Sequence, residues 1–135
     1  MVLFLGKSIL TTVVLGLAII QAVTGLRLRG YLKLLPVPVR RPRAWHRWSG
    51  DAALVLTIAV ATICVSSFGF ELYSPRVTWH AILGTMAALV MITKLVIARR
   101  IRTHLRYTPI LGVVAGFCIL GTFVASALWY FRLSL

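Results

Sequence analysis

VTWHAILGTMAALVMITKLVIA, running from Val77 to Ala98, is mostly apolar and is broken by a single Lys, Lys94. About 20 mostly apolar residues are enough for an α-helix to cross the hydrocarbon core of a bilayer, and this stretch meets that length. Arg76 alone stands before it, whereas Arg99, Arg100, Arg102 and Arg106 follow it closely. Three more runs of the same kind lie on either side. Ser8 to Leu26 carries no charge, Ala52 to Phe70 is prepared by a polar approach from His46, and Tyr107 to Phe131 is again uncharged. The expectation is an all-α chain: one integral membrane four-helix bundle, up-down-up-down, with helices over about 8–28, 46–70, 77–98 and 107–131.

Composition agrees with that reading. Hydrophobic residues make up 60% of the chain and the mean hydropathy is +0.95, more apolar surface than a soluble domain of this length could bury. Fifteen Lys and Arg face only two acids, Asp51 and Glu71. Such an excess could suggest nucleic acid, but these residues cluster between apolar runs and form no soluble basic face. They fit anionic lipid headgroups and topology instead.

The charges also orient the bundle. Arg27, Arg29, Lys33, Arg40, Arg41, Arg43 and Arg47 crowd the first connection, and Arg99, Arg100, Arg102 and Arg106 the third. Only Lys7, Arg76 and Arg132 fall on the opposite side. Positive loops stay cytoplasmic, so both termini are expected on the non-cytoplasmic side. Tyr31, Trp45, Trp48 and Tyr107 would mark one interface, and Tyr73, Trp79, Trp129 and Tyr130 the other. The first run is longer than a signal-peptide core and its charge follows it, which reads as a retained helix.

Much enzyme chemistry is unprovided for. No Gly-rich phosphate loop, paired carboxylates or Ser/His/Asp arrangement occurs. Cys64 and Cys118 both sit in apolar runs without a CxxC or CxxCH, which disfavours covalent haem attachment and reads as helix packing.

The three histidines are His46, His80 and His104. Two share a local pattern: Trp45-His46-x-x-x-Gly50 opens the second helix and Trp79-His80-x-x-x-Gly84 opens the third. Residues four apart lie on one helical face, so each Gly leaves room beside its imidazole. A flat macrocycle such as haem b could lie there with His46 or His80 on its iron. The same spacing also serves close packing of membrane helices. The two helices run antiparallel, so His46 and His80 would be separated by roughly 20 Å or more along the membrane normal and cannot share one iron. His104, in the turn before the fourth helix, is the only histidine on the side of His46. Cys64 is the residue of the second helix at the depth of His80.

Asp51 and Lys94 lie about one and a half turns inside the same boundary on neighbouring helices. An unpaired charge there is costly, so a structural ion pair between them is expected, with Arg47 as an alternative partner for Asp51. The fourth helix carries Gly112-x-x-x-Gly116 and Gly121-x-x-x-Ala125, a smooth stripe suited to other membrane subunits. The basic stretch from Arg29 to Arg43 contains Pro36, Pro38 and Pro42, which discourage a regular helix. It reads as a loop on anionic lipid or a docking strand for a partner.

From Trp45 onward the chain resembles a family of small, uncharacterised four-helix membrane proteins common in actinobacteria. The match rests on WHRWSG at Trp45 to Gly50, FGFE at Phe68 to Glu71, RVTWHAILG at Arg76 to Gly84, Lys94, and SALWYF at Ser126 to Phe131. More distantly, its His-bearing helix openings look like those of transmembrane b-type cytochromes, including ferric-reductase-like ones. The resemblance implies a multi-pass protein of a bacterial inner (plasma) membrane. It also implies a further His beside the position of Cys64, where this chain has Ile63.

Two functions follow as expectations. The first is a b-type cytochrome-like electron-transfer subunit of a larger membrane redox complex, using His46, His80 and His104 with Gly50 and Gly84. The second is a cofactor-free accessory subunit that stabilises a multi-subunit membrane complex. A small transporter or channel is disfavoured by the scarcity of intramembrane polar residues.

Overall fold

The computed structural model describes residues 2–31, 40–69 and 74–134. Four helices pack antiparallel, each long and apolar enough to span a membrane. They are α1 (Val2–Leu28), α2 (Arg40–Phe68), α3 (Pro75–Arg100) and α4 (Thr108–Phe123). A short 3-10 turn, Arg102–Tyr107, joins α3 to α4. The helix of α4 continues through a π turn, Val124–Leu128, into α5 (Trp129–Ser134).

The ends differ from the expected ones for local reasons. α2 starts at Arg40 rather than near His46 because Pro42 falls in its first turn. The first backbone N–H groups of a helix have no intrahelical acceptor, so a proline there removes nothing. Pro36 and Pro38 lie outside the described residues. α1 gives way to Gly30 (φ 82°) and α2 to Gly69 (φ 65°). These left-handed positions cost glycine nothing and let the Gly30 and Gly69 N–H groups bond Arg27 and Val65 carbonyls. α3 is started by Ser74, whose hydroxyl accepts from Val77 N–H at 3.3 Å, with Pro75 in its first turn.

The bundle is held by two hairpin pairs, α1 with α2 and α3 with α4, and by α1 against α4. Contact between α2 and α3 is much slighter. A small core forms from Val14, Ala87, Cys118 and Ile119, flanked by Leu83 and Met91. Many of the most buried positions are small: Ser8, Ser49, Ala53, Ala87 and Ala127 are each at most 2% exposed. Small side chains let membrane helices approach closely. The large apolar residues point outward instead, with Phe117, Val55 and Ile110 exposed. That pattern is inverted for water and suits lipid. Hydroxyls within the spans are absorbed locally; those of Thr11, Thr12, Thr57 and Thr93 donate to the carbonyl four residues earlier.

For the glycine stripe of α4, the face expected to meet other subunits is divided. Gly112 looks inward at Lys94, Gly121 is covered by Leu83, and Gly116 faces open space.

Candidate functional site

Polar side chains gather at both ends of the bundle, one group around each WHxxxG copy.

At the end carrying the basic connections, α1 supplies Gln21, Thr24 and Gly25. The Gln21 amide Nε2 donates to the His46 backbone carbonyl at 2.5 Å. Its Oε1 accepts from Lys94 Nζ at 2.6 Å. The orientation of the amide is dictated by its partners, since a carbonyl only accepts and an ammonium only donates. His46 Nδ1 lies 3.1 Å from both the Gln21 carbonyl and Thr24 Oγ1. Facing a carbonyl, Nδ1 must carry the proton, which leaves the lone pair on Nε2. Gly25 admits the ring: a Cβ there would stand 3.2 Å from His46 Cε1.

Gly50 does not make room for a macrocycle here. A Cβ at Gly50 would collide with the Gln21 amide. Gln21 therefore fills the space that the spacing reserved beside His46. Packed between α1 and α2, His46 works as part of a polar clasp.

The expected ion pair between Asp51 and Lys94 is not formed. Asp51 instead accepts from Arg99 at 2.7 Å, with both side chains about half exposed. Arg99 lies further toward the basic end and meets Asp51 near its surface, while Lys94 turns inward to α1. The alternative partner for Asp51, Arg47, is likewise not used in this pair.

His104 is exposed in the 3-10 turn, with its Nδ1 3.0 Å from Thr103 Oγ1 and its ring stacked on Tyr107. Its partners are thus its own turn, and nothing aligns it with His46.

At the opposite end, His80 of α3 shares electrostatic reach of Lys7 with Cys64 of α2. Lys7 and Gln21 are separated along α1 by about 20 Å of helix rise, so the two imidazoles stand at opposite ends, as the spacing predicts. The Thr122 backbone carbonyl of α4 lies near the His80 ring. Its Nδ1, however, is buried without a hydrogen-bond partner among the described residues, as is Ser8 Oγ. Leaving such a group unmade costs about 1–3 kcal/mol. Gly84 is unfilled: a Cβ there would meet only Thr122 Cγ2 at 4.0 Å. Thr122 also lies two residues before the π turn that fully buries Ala127. Such turns recur at functional sites.

His80, Gly84 and Ala88 follow one another at four-residue spacing and so share a face of α3. Ala88 lines an open apolar groove with Ile58, Ala61, Thr62, Val65 and Ser66 of α2. Among the described residues, no three His, Cys, Asp or Glu side chains converge as a metal site.

Several of these residues were not anticipated from the sequence. Gln21 is the only glutamine in the chain and lies in an apolar run, which was signal enough to single it out. Thr24, Gly25 and Thr122 gave no such signal, because Thr and Gly are ordinary in membrane helices.

The family profile matching this chain covers residues 3–134. The chain belongs to DUF6529, a family of unknown function. Nearly the whole four-helix unit is therefore the DUF6529 unit, and both polar groups lie inside it. No curated protein and no solved structure matches the chain at a significant level.

Proposed function

We propose that this DUF6529 chain is a b-type cytochrome-like electron-transfer subunit, with one haem b at the His80–Gly84 face of α3, working within a larger membrane redox complex. The observation that carries the reading is the buried Nδ1 of His80, unpartnered among the described residues. Metal-bound histidines commonly rest one ring nitrogen on a carbonyl and give the other to the metal. With the Thr122 carbonyl near its ring, His80 could adopt that arrangement. Gly84 leaves its face uncovered, and Cys64 of α2 shares with His80 the electrostatic reach of Lys7. A bound haem would supply a one-electron carrier, its iron alternating between ferric and ferrous. Thr122 would fix the ring orientation, and the apolar flanks of α2 and α3 would exclude water.

By contrast, the His46–Gly50 copy does not fit a haem, because Gln21 occupies its cradle. One haem rather than two is therefore proposed, with His46 in a structural role.

The same reading places the bundle across a bacterial inner (plasma) membrane with both termini non-cytoplasmic. Its support is the bias of basic residues toward one end of the four helices.

A second reading, a cofactor-free accessory subunit, is favoured by the clasp of Gln21, His46 and Lys94. In it, other membrane subunits would meet the open face at Gly116 and the stretch from Arg29 to Arg43. The visible spectrum of the purified protein and of His80→Ala separates the two readings.

A further inference from the structure

Lys94 brings a positive charge into the bundle, and its hydrogen-bond partner among the described residues, Gln21, is neutral. Asp51, the one carboxylate side chain among the described residues, does not answer it. Asp51 is engaged by Arg99, and Glu71 belongs in sequence to the connection at the other end of α3. Arg29 adds to the excess, since it lies within electrostatic reach of both Lys94 and His46. A charge of this kind inside a membrane span is expensive without a counter-charge.

The site has a shape that suits such a counter-charge. Lys94 lies six residues before the end of α3, about 9 Å inside the bundle. A Cβ at Gly112 would stand 3.5 Å from Lys94 Nζ, an ordinary contact, so α4 passes close beside the ammonium. Gly112 is in the first turns of α4, roughly 6 Å from its start. The ammonium is thus bracketed by Gln21 of α1 and Gly112 of α4. Gln21 holds one of its three protons and leaves the others for a further acceptor. Arg29, exposed at the end of α1, can close on the same acceptor from the interface.

We propose that Lys94 and Arg29 bind the phosphate of one anionic lipid headgroup at the basic end of the bundle, with Gln21 steering Lys94. The phosphate chemistry alone would also admit free inorganic phosphate. A lipid is assigned because its phosphate is already held at the depth where this end of the bundle meets the bilayer. The inference rests on the four helices spanning a membrane and is independent of haem at His80.

The test is native mass spectrometry of the whole protein released from bilayers of equal phosphatidylglycerol and phosphatidylcholine. The wild type should keep one phosphatidylglycerol. Arg29→Gln, an exposed change, should lower that retention about fivefold, the effect of one basic residue near an anionic surface. Lys94→Met should lower it at least as much; should that variant fail to fold, Arg29→Gln decides alone. Equal retention by wild type and Arg29→Gln overturns the site. In a parallel thermal-stability series, phosphatidylglycerol should protect the wild type and inorganic phosphate should not. Equal protection by both overturns the assignment to lipid.

Discussion

The Gln21 amide nitrogen donates to the His46 backbone carbonyl at 2.5 Å, and this contact closes the space beside His46 that Gly50 would otherwise leave open. Through its oxygen the same amide holds Lys94, so one side chain of α1 ties down α2 and α3 together.

Removing that side chain should loosen both ties. Gln21→Leu is expected to cost about 1–3 kcal/mol, combining lost interhelical hydrogen bonds with an ammonium left without its acceptor. Thermal unfolding in detergent measures it. An unchanged midpoint would show that the clasp contributes nothing.

The two glycines of the repeated pattern should behave differently. Gly50→Ala forces a methyl group into the Gln21 amide and should destabilise by about 1–3 kcal/mol. Gly84→Ala meets only an ordinary contact with Thr122, so the fold should tolerate it, while haem content falls because the face beside His80 is now covered. Paired unfolding and absorbance measurements read both effects, and equal destabilisation by the two variants would contradict the assignment.

Asp51→Asn should matter little. Its pair with Arg99 is about half exposed on both sides, and exposed ion pairs contribute about 0–1 kcal/mol, less at high salt. A loss well beyond that range would mean that Asp51 has a buried role.

The fully buried Ser8 hydroxyl has no hydrogen-bond partner among the described residues. Ser8→Ala should therefore raise stability, by about 1 kcal/mol, because it removes a buried polar group that makes no hydrogen bond. A lower unfolding midpoint would indicate that the hydroxyl has a partner.

The four spans were plain in the sequence because a bilayer demands long apolar runs, and Val77 to Ala98 has no other reading. Their ends were less plain. Pro42 suggested a break, yet a first-turn proline is harmless, and Gly69 ended α2 slightly early. The placement of His46 and His80 at opposite ends was also legible, since antiparallel helices carry equal openings to opposite ends. What each histidine touches was not. Identical WHxxxG spacing describes only one helix, and the difference comes from the helix opposite: Gln21 stands over Gly50, while nothing comparable stands over Gly84. The expected pairing of Asp51 with Lys94 failed for a similar reason. Depth alone favoured Lys94, but a lysine stem can turn inward to an amide while an arginine reaches back along the surface.

The most direct measurement is the reduced-minus-oxidised absorbance spectrum of the protein purified from membranes, alongside His80→Ala and His46→Ala. A Soret band and sharp reduced bands are expected in the wild type, lost in His80→Ala and kept in whatever folded His46→Ala is recovered. Stoichiometric, folded wild-type protein without haem, or a spectrum that survives His80→Ala, would contradict the account.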